Sequence, residues 1–262
     1  MVFRKRTTIL IAFFILSLYL GVASADEIAS AGRAIFQKHR DAVVKVKLVI
    51  KFRLFMSGNE MKNSESISEA TGTVLSSSGL TLVSLNATEP DKLAGKNIKQ
   101  KTGSAMNLDS ELGDIKIIFQ DGKEVPATVV LRDRDLDLAF IRPIKKLPSP
   151  VHSIGSLKIV ESEILDEIFS LGRLGKLGSR EPSILLDRIQ AIVKKPRTVY
   201  IPQFTREPGS PVFSKNGDWI GITLIRYNKI EKTVPQAMVV ILPANDIMEV
   251  AGQALETETR EQ

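Results

Sequence analysis

From Val44 to Leu54 every even position is apolar (Val44, Val46, Leu48, Ile50, Phe52, Leu54), whereas the odd positions are Lys45, Lys47, Val49, Lys51 and Arg53. A period of two belongs to a strand with one buried and one solvated face. Short segments of the same kind recur to the end of the chain. Thr73–Leu75 turns at Ser77-Ser78-Gly79 into Leu80–Val83, Ile115–Phe119 turns at Asp121-Gly122 into Glu124–Leu131, and Leu138–Ile141 follows. Pro143 to Ser153, with Pro143, Pro148 and Pro150 and no periodicity, reads as a connection. A second series comprises Ile164–Ser170, Ser183–Ile192, Thr198–Phe204, Pro211–Phe213 turning at Asn216-Gly217 into Trp219–Ile225, and Met238–Leu242. Residues 28–40 suit a short amphipathic helix, and Asn245–Leu255 opens on a capping Asn with Ile247, Val250 and Ala251 on one face. Roughly a dozen strands in two groups of six, framed by terminal helices, predict an all-β domain of two antiparallel six-stranded β-barrels. Barrel one covers about 42–145 and barrel two about 153–243, within a domain of 26–255 and before a tail of 256–262. Two polar stretches, Met56–Glu69 and Glu89–Gly113, lack the pattern and are predicted to be long loops.

The first 25 residues differ from the rest. Arg4, Lys5 and Arg6 precede an uncharged run from Thr7 to Ala25, which ends on Ala23-Ser24-Ala25 before Asp26. A basic start, an apolar middle and small residues at the end predict a cleavable secretory signal over 1–25. A retained single-span anchor is the alternative, because the run barely reaches the ~20 residues a bilayer requires. Removing the segment leaves 33 basic against 30 acidic residues, so the net charge falls from +6 to +3 and the electrostatic case for nucleic acid disappears. The chain has no cysteine and only two histidines. That composition excludes disulfides, thiolate metal sites, cysteine nucleophiles and thiol lipidation, and it leaves little room for imidazole chemistry. The expected compartment is extracytoplasmic, periplasmic or secreted, with membrane attachment only if the signal stays uncleaved. No metal and no cofactor are expected.

Four segments carry a family resemblance. They are Ala70–Val83, Lys116–Ala127, Arg132-Asp133-Arg134-Asp135-Leu136-Asp137-Leu138-Ala139, and Gly209-Ser210-Pro211-Val212-Phe213 with Asn216–Ile222. In this order and spacing they resemble the trypsin-like serine proteases, in particular the HtrA/Deg branch. The resemblance implies a double barrel and a Ser, His and Asp working together, the Ser as nucleophile, the His as base and the Asp orienting the His. Carried over by position, the aspartate is Asp137, the histidine position holds Asn86 and the serine position, three before Pro211, holds Pro208. Asparagine is no base near neutral pH, and proline offers no side-chain nucleophile.

Ser210 is the alternative nucleophile. The resemblance implies an oxyanion hole made by the amides of the serine and of the residue two before it. Pro208 deletes one of those donors in either register, a loss worth ~100 to 1,000-fold in rate. Glu207 beside the site would repel an oxyanion. His39 and His152 lie where the family's imidazole does not enter, and no lysine is singled out as a base. Catalytic residues are therefore not expected. The predicted activity is peptide or protein binding by an exported, catalytically inactive homologue acting as adaptor, decoy or chaperone-like module, with Arg206, Glu207, Gly209 and Ser210 at the binding groove. Lys194, Lys195 and Arg197 would add a basic rim. An atypical endopeptidase using Ser210, a purely structural assembly role, and self-association as a homo-oligomer remain as alternatives. Trp219 is expected in the core.

Overall fold

The computed structural model describes residues 27–57, 59–89, 106–204, 206–227 and 237–260. The expected export signal therefore lies outside the described residues, as does most of the stretch predicted to loop after Glu89. Twelve strands form two closed barrels. The first has the order β1-β2-β3-β6-β5-β4, from β1 (Val43–Met56), β2 (Asn59–Val74), β3 (Thr81–Ser84), β4 (Met106–Ile118), β5 (Glu124–Asp133) and β6 (Leu138–Pro143). The second has the order β10-β11-β12-β9-β8-β7, from β7 (Glu167–Arg173), β8 (Pro182–Val193), β9 (Val199–Pro202), β10 (Pro211–Ser214), β11 (Trp219–Tyr227) and β12 (Ala237–Pro243). Helix α1 (27–39) precedes them, a single turn α2 (Leu85–Thr88) follows β3, and α3 (Ala244–Arg260) follows β12. Among the described residues no helix is long and apolar enough to cross a membrane.

The alternation in β1 does what its period predicts: Val44, Val46, Leu48 and Ile50 fill barrel one together with Val83, Ile117 and Ile141. Barrel two is filled by Ile168, Ile189, Tyr200, Val212, Ile220 and Ile241. The largest apolar cluster lies between the barrels. Leu82 and Phe140 meet Leu171, Phe213, Trp219 and Leu242 there, and Ile35 of α1 and Ile247 of α3 close its ends. Each such side chain contributes about 1.5–3 kcal/mol by leaving water. Strands β3 and β6 are covered on both faces for this reason.

The loop expectations fail for Met56–Glu69, which is strand from Asn59 on, and for the end of the second stretch, where β4 already begins at Met106. Beyond the barrel β1 continues as a ribbon, pairing Val49 with Ile67 and Met56 with Asn59 on one side and Phe52 with Ser110 on the other. Phe52 and Leu112 still pack against the barrel core, whereas residues 59–68 of β2 are exposed on both faces. Without burial a strand has no reason to alternate in polarity, so only the apolar even positions of β1 signalled the ladder. Ile164 and Leu165 are also not strand: Leu165 has φ 72° in a turn, and β7 starts at Glu167.

Candidate functional site at the junction of the barrels

Asp137 is presented by a turn that its own motif builds. The Asp133 carboxylate accepts the amides of Asp135 and Leu136, which folds the β5–β6 connection and leaves Asp137 at φ 62°. Its carboxylate then turns toward α2. Oδ2 accepts the Ser84 hydroxyl at 2.7 Å, and Oδ1 accepts the Asn86 amide at 3.2 Å. The Asp137 carbonyl receives the Leu85 amide at 2.9 Å. Asn86 and Asp137 are thus brought together, as the resemblance implied. Burial pushes the Asp137 carboxyl up to about 6, with the Ser84 and Asn86 hydrogen bonds working against it.

Pro208 and Gly209 form a turn closed by the Ser210 amide on the Glu207 carbonyl at 3.3 Å, with Gly209 at φ 92°. Proline then glycine with positive φ is the pattern of a type II turn. The turn is docked from both sides: the Gly209 amide donates to the Thr223 carbonyl at 2.8 Å, and the Thr73 hydroxyl donates to the Gly209 carbonyl at 2.7 Å. A Cβ on Gly209 would lie 2.1 Å from the Thr71 carbonyl oxygen. Gly209 and Ser210 are therefore placed inside the contact between barrels rather than on an open lip. Ser210 is 0% exposed and its hydroxyl has no hydrogen-bond partner.

Glu207 and Arg206 reach elsewhere. The Glu207 carboxylate crosses to barrel one, where it takes the Lys45 ammonium at 2.6 Å and the Thr71 hydroxyl, while Lys45 also donates to Thr71 at 3.0 Å. Desolvation pushes the Glu207 carboxyl up, but the Lys45 and Thr71 hydrogen bonds together with the charges of Lys45 and Arg206 hold it below its usual range. Its charge is thus directed at Lys45. Arg206 donates to the Ser183 hydroxyl at 2.8 Å and lies against Gly172. Arg197 stands 3.5 Å from Asp246 in the first turn of α3.

Sequence reasoning missed Lys45, which it assigned to a solvated face. Lys45 is 3% exposed because the first residues of β1 face barrel two as well as their own barrel. The one available signal was Val43, apolar on the same side of the strand. Arg226 was missed too; it donates to the Asp135 carbonyl at 2.7 Å and so ties β11 to the Asp137 turn. His39 and His152 lie together, 3.4 Å between ring nitrogens, with His39 stacked on Phe213. Burial, then the charges of Lys38 and His152, lower His39 to about 4. Among the described residues no group of three or more His, Asp or Glu is placed to hold a metal ion.

Among the described residues, the strand beside the turn leaves one side unpaired. Thr223 spends its amide on the Ser210 carbonyl and its carbonyl on the Gly209 amide. Polar backbone groups alternate sides along a strand, so the amide and carbonyl of Ile225 point the same way as those of Thr223, away from β12. The pairing of β10 with β11 ends at Pro211 with Ile222, and among the described residues no strand pairs with Ile225 on that side.

Two barrels meeting at this turn define a class. The trypsin-like peptidase domain profile matches residues 70–222, more than half of the chain, and the chain belongs to that family. Solved structures agree on the fold. The HtrA-type protease AlgW with a tripeptide is 15% identical with a TM-score of 0.53 over 85% of this chain and 62% of its own. The same protease with a decapeptide is 14% identical with a TM-score of 0.56, over 86% and 66%. The MamO protease domain from Magnetospirillum magneticum, apo form, is 13% identical with a TM-score of 0.50 over 82% of this chain and 97% of its own. This chain thus spans about two thirds of the AlgW chains and nearly all of the MamO domain. Comparison with curated proteins returns no match.

Proposed function

We propose that this chain is an exported trypsin-fold protein that binds an extended peptide without cutting it. The observation that carries the reading is the pair formed by a filled nucleophile turn and an unused strand edge. Pro208 supplies neither hydroxyl nor amide, Asn86 supplies no base, and Ser210 is buried, so the residues at the family's catalytic positions lack the groups that acyl transfer requires. The Ile225 amide and carbonyl, close to the Asp137 turn through Arg226, offer the main-chain pairing by which a peptide adds to a sheet, and that pairing needs no triad. The AlgW structures are described with a tripeptide and a decapeptide, which is said of that protein and supports peptide as the class of ligand to test here. Of the four expected binding residues, Arg206 and Glu207 are engaged with Ser183 and Lys45 and Ser210 is buried, so the reading rests on the Ile225 edge rather than on these side chains. Export rests on residues 1–25.

Ile225→Pro tests the edge. It removes a donor that no barrel strand uses, so the fold is kept while pairing is lost. Fluorescence anisotropy with a library of labelled unstructured peptides should show binding by the wild type and at least about tenfold weaker binding by the variant. Equal binding by both proteins would reject the edge, and fluorophosphonate labelling of Ser210 would reject the inactive reading.

A further inference from the structure

The connection between the barrels makes a second site. It is pinned at one end by the Ile144 amide on the Pro126 carbonyl (3.0 Å) and at the other by the Val151 amide on the Ser77 carbonyl (3.0 Å) and the Gly155 amide on the Leu75 carbonyl (3.1 Å). Between these points residues 145–150 stand off the barrel and enclose a pocket of about 490 Å³. Pro143, Pro148 and Pro150 fix its backbone. Gly79, at φ 95°, lets the β2–β3 turn approach so closely that a Cβ would stand 2.9 Å from Pro143 and 3.0 Å from Leu147. The pocket is therefore preformed rather than a gap left by a loose loop.

Its lining is one-sided in charge. Arg142, Lys145 and Lys146 line it together with Ser77, Ser78 and Ser149, and among the described residues no carboxylate does. Arg142 is held in place by its hydrogen bond to the Ala254 carbonyl of α3, 3.1 Å. Two lysine ammoniums, with the Ser77 and Ser149 hydroxyls, around a concave space match a group with one or two negative charges and several acceptor oxygens. The site is also remote from the catalytic positions. Strands β3 and β6 run from this pocket to Ser84 and Asp137 at their other ends, roughly 15–20 Å away at a strand's rise per residue.

We propose that this pocket binds a phosphate group, carried either by a small soluble phosphate ester or by a lipid headgroup. The full chain is titrated with inorganic phosphate and glycerol 3-phosphate while backbone amide shifts are followed, and it is sedimented with phosphatidylcholine vesicles with and without phosphatidylglycerol. Lys145→Glu with Lys146→Glu is compared with Lys51→Glu and Lys215→Glu, which makes the same charge change away from the pocket. The proposal expects shifts at Ser77, Ser78, Lys145 and Lys146, weakened about tenfold by the pocket pair and unchanged by the control pair. If the source is lipid, the pocket pair also loses the extra sedimentation with anionic vesicles. If the source is soluble, both variants sediment alike while the phosphate shifts still separate them. Equal responses of the two variants to every probe, or no response of the wild type, overturn the proposal.

Discussion

Asp137 and His39 are displaced from their ordinary ionisation in opposite senses, and the displacements have opposite effects on stability. Asp137, raised from 3.8 to about 6, binds its proton more tightly in the folded state, so its contribution to stability is lost as pH rises from about 4 to 6. His39, lowered from 6.5 to about 4, binds its proton more tightly when unfolded, so stability is gained as pH rises through about 4 to 6.5. The Asp137 shift corresponds to about 3 kcal/mol, and the His39 shift acts against it. In urea unfolding, the stability of Asp137→Asn relative to wild type should rise by about that amount between pH 4 and 6. His39→Phe should show the opposite trend. A flat difference for either variant contradicts the burial argument. At Gly209 the positive φ and the 2.1 Å approach to Thr71 predict that Gly209→Ala lowers stability by about 2 kcal/mol or more, read as a fall in Tm.

At the scale of elements, the ion pair across the junction is asymmetric: the Lys45 side chain is 3% exposed and that of Glu207 54%. Removing the acid strands a buried ammonium, whereas removing the base leaves a carboxylate that water can reach. Glu207→Gln should therefore cost about 3 kcal/mol and Lys45→Met distinctly less, by denaturant melts of the two variants. The ribbon behaves differently. Met61 and Ile67 are exposed, so Met61→Lys and Ile67→Lys should move stability by less than about 0.5 kcal/mol, while Ile50→Ala inside the barrel should cost about 2–5 kcal/mol. The same contrast explains what the sequence could disclose. Val44 to Ile50 alternate because a core selects them; Asn59 to Ser68 pair just as fully yet show nothing, because hydrogen-bonded backbone leaves no mark on side-chain polarity.

For the whole molecule, two barrels and their order were legible because each barrel needs its own apolar interior and its own turns, and Asp133-Arg134-Asp135-Leu136-Asp137 and Gly209-Ser210-Pro211 are short enough to read without a structure. Contacts that arise only when the barrels meet were not. Lys45 with Glu207, Arg226 with Asp135 and the burial of Ser210 all join residues distant in the chain, and no local period encodes them. The function proposed for this junction is to hold peptide without cutting it. The most direct test incubates the chain with an unfolded polypeptide, recovers the complex and measures intact masses of both partners. A retained polypeptide of unchanged mass and an unmodified chain are the expected result. Shortened polypeptide, an acyl adduct on Ser210, or no retained polypeptide would contradict it.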